Sequence, residues 1–247
     1  MFKLFSRTKS NQQKTDFNLL KVDMHSHLIP GIDDGSSDLE ASLHYIRGMA
    51  TLGYTKLITT PHIMWDMYRN ERDDILKRLE VLQLAVKNEG IAIELHAAAE
   101  YFLDEHVELL LKNNDPLLTI SGNMVLVEFS MALISMNPKD ILFDMQMKGY
   151  QPVIAHPERY IYLEKNKEFY DELKDIGCMF QLNLLAVGGF YGKAAKELAN
   201  YLIKKEYYDL VGTDLHHDRH LEALENPALA EPLAKLMATG KIRNNQL

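Results

Sequence analysis

The sequence contains one cysteine, Cys178. A lone cysteine excludes a disulfide framework and a thiolate zinc site. It also excludes cysteine-based phosphate chemistry, which needs a phosphate-cradling loop ending in arginine; Cys178 instead leads into Met179-Phe180-Gln181-Leu182-Asn183-Leu184 and reads as core. Basic residues are outnumbered, 27 against 35 acidic, for a formal charge of −8. Without a basic face to neutralise phosphates, nucleic acid is excluded as a general partner. No run of about 18 apolar residues exists to span a bilayer. The first residues lack the apolar stretch and small-residue cleavage site of a secretory signal, so a cytoplasmic location is expected.

What is present is a chain of 247 residues that is 47% hydrophobic, enough for one sizeable core. Residues 1–17 carry Lys3, Arg7, Lys9 and Lys14 against Asp16 and read as a flexible basic tail. Residues 18–240 read as one domain, and 241–247 as a frayed C-terminus. Short β-branched or apolar runs fall at 19–24, 56–60, 92–97, 124–129, 152–155, 179–184 and 208–212, with helical patterns between them. That alternation predicts an α/β fold with parallel strands, and seven such units without a linker suggest a barrel.

Gly53, Gly90, Gly149 and Gly177 each stand between a helical stretch and a strand, where a left-handed C-cap is needed. Ser37 with Glu40 predicts a capping box, and Asn137-Pro138 an N-cap with proline in the first turn. Within the first helix, His44 and Arg47 lie off the apolar stripe, so His44 is not expected to be a ligand.

The chemistry is concentrated at the carboxyl ends of the strands, the face on which α/β barrels place their active sites. Those ends read His25-Ser26-His27, Thr60-Pro61-His62, Ala99-Glu100, Val127-Glu128, Ala155-His156 and Asp214-Leu215-His216; only Asn183 is neutral. Side chains alternate along a strand, so His25 and His27 can share a face, as can Asp214 and His216. Asp34 follows in the first loop. Buried together, such groups need compensation, and metal ions supply it. Imidazole and carboxylate without thiolate suit zinc, manganese or iron better than magnesium. His25, His27, Asp34, His62, Glu100, Glu128, His156, Asp214 and His216 exceed what one four-coordinate ion uses, so two or three ions are expected.

Arg159 and Arg219 each follow a proposed ligand by three residues, in His156-Pro157-Glu158-Arg159 and His216-His217-Asp218-Arg219. Either guanidinium can fork onto phosphate oxygens left free by metals. Either can instead pair with its neighbouring acid, Glu158 or Asp218.

The segments from His25 to Gly35, Thr59-Thr60-Pro61-His62, His156-Pro157-Glu158-Arg159 and Thr213-Asp214-Leu215-His216 resemble the polymerase and histidinol phosphatase (PHP) superfamily. The Asp33-Asp34-Gly35 and His156-to-Arg159 motifs are closest to its bacterial manganese-dependent protein tyrosine phosphatases, which belong to capsular and exopolysaccharide clusters. The resemblance spans about Val22 to Arg219. It implies a distorted (β/α)7 TIM-like barrel with a trinuclear centre at the C-terminal ends of the strands. Manganese is the first choice of metal, with iron and zinc as alternatives. The implied reaction is hydrolysis of phosphotyrosine on the tail of a bacterial tyrosine autokinase, by in-line attack of a hydroxide held between metals. The resemblance carries the ligand role onto the same nine residues and the phosphate contact onto Arg159. The loop around Arg219 is shorter and richer in histidine than the family pattern.

A phenolate leaves readily, so no general acid is singled out; His216, His217 or a bound water could serve. Two rival readings remain: a histidinol phosphatase or other small-molecule phosphomonoesterase with the same metals, and a non-catalytic metal-stabilised binding module. Trp65, Met67, Tyr68 and Arg69 could line either a phosphotyrosine groove or a closed small-molecule pocket, or simply pack their loop.

Overall fold

The computed structural model describes residues 17–134 and 138–247. The expected basic tail therefore lies outside the described residues, except Phe17, which is fully buried and stacks on Tyr54 with ring centroids 5.2 Å apart. In chain order the elements are β1 (Val22–Asp23), α1 (Leu39–Thr51), β2 (Lys56–Thr59), β3 (His62–Ile63), α2 (Arg72–Asn88), β4 (Glu94–Ala97), β5 (Glu100–Phe102) and α3 (Glu105–Asn113). There follow β6 (Met124–Glu128), α4 (Pro138–Met147), β7 (Gln151–Ala155), α5 (Glu168–Asp175), β8 (Met179–Asn183), α6 (Leu184–Gly188), α7 (Gly192–Lys204), β9 (Leu210–Gly212), α8 (Asp218–Leu224) and α9 (Ala230–Ala238). Short 3-10 turns join several of them. Among the described residues no helix is long and apolar enough to cross a membrane.

Every strand pairing is parallel, in two sheets ordered β1-β2-β4 and β3-β5-β6-β7-β8-β9. The α/β class is as expected, but the second and third strands differ from the simple runs. Pro61 has no N–H to continue the ladder, so the chain leaves β2 and re-enters the second sheet at His62. A matching break at Ala98 and Ala99 separates β4 from β5, and His62 then pairs in register with Glu100. Two prospective ligands are thereby set side by side. The first run is also shorter than expected. Residues Phe17–Leu19 form a 3-10 turn, and Lys21 takes a left-handed φ of 60° before the two-residue β1.

Beyond the strand ends the last segment meets the first. Asp214 N–H donates to the His25 carbonyl at 2.8 Å, and His27 N–H to the Leu215 carbonyl at 2.9 Å. Below them Asp23 accepts from the N–H and the hydroxyl of Thr213, both at 2.9 Å. Burial pushes the Asp23 carboxyl up to about 7, against these bonds.

The helix ends correct one detail of the sequence reading. Asp38, not Ser37, caps α1: its side chain accepts from Ala41 N–H at 2.9 Å, while the Ser37 hydroxyl donates to Asp38. The Asn137 cap falls outside the described residues, within which α4 runs from Pro138. Gly53, Gly90, Gly149 and Gly177 all have positive φ. His44 is off the core as expected and pairs at the surface with Asp218 at 3.0 Å.

The C-terminus is not frayed. Ile242 and Asn244 are buried, and Leu247 packs against the apolar cluster of Val22, Met24 and Leu210. Asn244 Nδ2 donates to the carbonyls of Val22 and Val211 at 2.9 and 2.6 Å, and its Oδ1 accepts from Val211 N–H at 2.9 Å. One side chain thus ties the first strand to the last. Asn244→Ala strands those groups in the interior and is expected to destabilise the fold by about 2–4 kcal/mol. Chemical denaturation checks this, and an unshifted midpoint would show that the C-terminal segment contributes nothing.

Candidate metal centre

All nine histidines and carboxylates singled out, eight at strand ends and Asp34 in the first loop, converge at one end of the sheets. His25, His27, Glu100 and Asp214 are buried and form one group able to hold a metal ion. In it, His25 Nε2 is 3.1 Å from Glu100 Oε2 and 3.3 Å from both Asp214 Oδ1 and His27 Nε2. A second group comprises His27, Asp34, His62 and His216, with Asp34 Oδ1 at 3.5 Å from both His62 Nε2 and His216 Nε2. A third comprises His62, Glu100 and Glu128. His156 lies outside these groups but reaches Glu100 Oε1 with Nε2 at 3.0 Å. His27, His62 and Glu100 each belong to two groups, the pattern of ligands shared between neighbouring ions.

Three of the imidazoles are oriented by a bond at the other ring nitrogen. Nδ1–H donates to Gln181 Oε1 from His25 (2.9 Å), to Asp33 Oδ2 from His27 (2.8 Å) and to the Asp214 carbonyl from His216 (2.8 Å). Each acceptor fixes the tautomer that leaves Nε2 with a lone pair facing the centre. His216 therefore has both nitrogens committed, which suits a ligand better than a proton donor. Neither Gln181 nor Asp33 was legible as part of the site. Gln181 lies mid-strand without charge, and Asp33 was masked by its neighbour Asp34. Asp33 also accepts from the N–H of His62 and of Gly35, at 3.1 and 3.0 Å. Gly35 is required there, because a Cβ would come within 2.3 Å of the His27 Cβ. Asp33→Ala is expected to weaken metal affinity about tenfold to a hundredfold with the fold intact; metal titration checks it, and unchanged affinity would leave Asp33 a loop residue only.

The donor set fits divalent cations. His62 Nδ1 and Glu128 Oε1 are buried 3.0 Å apart, yet neither makes a hydrogen bond, and His156 Nδ1 is likewise without one. Buried polar atoms rarely stay unsatisfied, and a shared cation would satisfy the first two. The electrostatics agree. Burial opposes charge on Glu100, but the surrounding His25 and His62 outweigh it and hold the carboxyl well below its usual range. Burial likewise pushes His62 down, and Glu100 reverses this, leaving it at about 9. The centre is built for carboxylates facing positive charge. His156 and Asp214 also adopt left-handed φ values of 34° and 54°, strain of the kind a functional site retains.

The centre opens into a cavity of about 380 Å³. Arg159 lines it, but pairs with Asp214 rather than Glu158: Nη1 lies 2.6 Å from Asp214 Oδ2, and the guanidinium sits 4.4 Å above the Tyr191 ring. Glu158 turns inward to accept from Asn183 N–H and the Tyr208 hydroxyl, and burial raises its carboxyl to about 7. Arg219 is exposed in the first turn of α8 and does not line the cavity, so its placement lends no support to a phosphate contact. The helical turn starting at Asp218 brings His220 in instead, where Nδ1 accepts from His216 N–H at 3.2 Å. Spacing from His216 could not show this without the helix. Met67 and Tyr68 line the cavity, whereas Trp65 stacks on His106 at 3.8 Å and Arg69 donates to the Trp65 carbonyl, which is loop packing. A larger cavity of about 480 Å³, between Arg72 and Pro116, contains none of the nine side chains. Cys178 is buried, and burial pushes its thiol up to about 12, out of reach of thiolate chemistry near neutral pH.

Known proteins are similar to this chain over most of its length. A tyrosine-protein phosphatase, CpsB, from Streptococcus agalactiae serotype V is 30% identical over 233 residues, 92% of this chain and 94% of its own. YwqE from Bacillus subtilis, also a tyrosine-protein phosphatase, is 28% identical over 196 residues, 79% and 77% of the two chains. A crystal structure from work on YwqE and Streptococcus pneumoniae CpsB, described as metal-dependent tyrosine phosphatases, superposes with a TM-score of 0.76 at 26% identity, covering 90% of this chain and 94% of that one. A Listeria monocytogenes lactonase, 12% identical, shares the fold alone at a TM-score of 0.54, with 94% and 92% covered. The family model for capsular polysaccharide synthesis, CpsB/CapC, matches residues 21–238, and the chain belongs to that family.

Proposed function

We propose that this protein is a metal-dependent protein tyrosine phosphatase acting on the phosphotyrosine tail of a bacterial tyrosine autokinase in the cytoplasm. The two sheets are read as one distorted (β/α)7 barrel whose C-terminal face carries two or three divalent ions, manganese first, with iron and zinc as alternatives. The observation that carries the reading is the convergence of nine metal-competent side chains, eight of them in three overlapping groups and His156 beside Glu100, at a solvent-open cavity walled by Arg159. A non-catalytic module has no need to retain the full set.

Bound divalent cations would supply an acidified water near neutral pH and neutralise phosphoryl oxygens. The chain's own groups do the rest. Gln181, Asp33 and the Asp214 carbonyl hold His25, His27 and His216 with Nε2 inward. Asp214 Oδ2 takes one N–H of Arg159 and one of Asn183, leaving the rest of the guanidinium fork for phosphoryl oxygens. A phenol of pKa ~10 leaves with little help from an acid, which suits a site whose histidines are committed as ligands.

The test is phosphate release from a phosphotyrosine peptide and from histidinol phosphate, with protein stripped of metal and reloaded with manganese, iron or zinc. Peptide turnover restored by metal is expected. Preference for histidinol phosphate would move the enzyme to small-molecule metabolism, and turnover of neither would leave a binding module.

A further inference from the structure

The floor of the cavity is charged, but part of its rim is not. Met64, Met67 and Tyr68, on the loop after β3, line it together with Met131, on the loop after β6. Strands β3 and β6 flank β5 in the sheet, so these side chains border the end of the cavity beside Glu100 and Glu128. Met67 is 67% exposed and Met131 39%. Apolar side chains gathered, partly in solvent, at the mouth of a site offer a contact surface.

The loop after β3, which presents Met64, Met67 and Tyr68, is tied down at several points. Met64 N–H donates to the Tyr68 carbonyl at 3.1 Å, and Tyr68 N–H returns to the Met64 carbonyl at 2.7 Å. Asn70 Nδ2 ties down the carbonyls of His62 and Ile32 at 2.8 and 2.9 Å. The Tyr68 ring lies nearly parallel to His62, with centroids 5.5 Å apart. A loop backbone and a ring fixed in this way lose little freedom on binding, while the unbranched thioethers can adapt to a ring.

We propose that Met67 and Met131, with Tyr68, form an aryl subsite that grips the phenyl ring of the substrate while the metal ligands and Arg159 hold its phosphate. The proposal rests on the tyrosine phosphatase reading and names what selects the aryl ester. Thioether sulfur favours an aromatic edge. An alkyl phosphate bearing polar groups finds no comparable partner there.

The test uses full-length, metal-loaded protein and the double variant Met67→Ser/Met131→Ser, both partly exposed positions whose change leaves the core untouched. The aryl readout is kcat/KM for a phosphotyrosine peptide; the phosphate readout is the inhibition constant of inorganic phosphate on the same reaction. We expect kcat/KM to fall about tenfold with phosphate inhibition unchanged, and Met67→Leu/Met131→Leu to recover most of the loss. An unchanged kcat/KM, or a parallel weakening of phosphate, overturns the subsite. Absence of peptide turnover by the unaltered protein overturns the function reading instead, and the subsite with it.

Discussion

Replacing Glu100 by glutamine is expected to lower kcat by at least about 10³-fold and to reduce the metal retained per chain. The substitution preserves shape, so its effect isolates charge. Glu100 is fully buried, with Oε2 at 3.1, 3.3 and 3.4 Å from His25, His27 and His62, and Oε1 at 3.0 Å from His156. Among the described residues it is the one carboxylate that touches four imidazoles, and it belongs to two of the three candidate metal groups. An amide cannot bridge cations as an anion does, and its NH2 would donate to imidazole lone pairs that the cations need. Elemental analysis after dialysis, alongside phosphate release, measures both effects. Full activity with normal metal content would remove Glu100 from the centre.

Arg159→Ala is expected to leave the metal content intact while kcat/KM for the phosphotyrosine peptide falls about 10²- to 10³-fold. Arg159→Lys should recover only part of this, because an ammonium cannot reproduce the planar fork. The competing account is that Arg159 merely braces Asp214, to which it donates at 2.6 Å. Under that account Asp214 Oδ2 would keep only its bond from Asn183, and metal would be lost with activity. The ratio of metal loss to activity loss separates the two, and an unchanged kcat/KM would end the phosphate role.

Much of the site was legible because ligands must be particular residue types at particular strand ends. A histidine or carboxylate at the end of six of the seven apolar runs, with Asp34 in the first loop, is visible without coordinates, and all nine such residues meet in the structure. Supporting residues carry no such signature. Gln181 is a neutral residue inside a buried strand, and it enters the site only because β8 lies beside β7, where His156 N–H also donates to its side chain at 3.2 Å. Arg219 shows the converse. Its spacing from His216 matched that of Arg159 from His156, but a short 3-10 turn follows His156 while α8 follows His217, and the helix carries the side chain into solvent.

By itself the sequence determined the α/β alternation, the identity of the metal-competent side chains and the absence of thiol chemistry, because these follow from periodicity and functional groups. Only the tertiary structure decided which ligands are shared, that Arg159 faces Asp214 rather than Glu158, and that residues 242–247 seal the first strand to the last. Those outcomes depend on contacts such as Asn244 to Val22 across 222 positions. Distances of that kind arise when the sheets are assembled, and no local pattern along the chain encodes them.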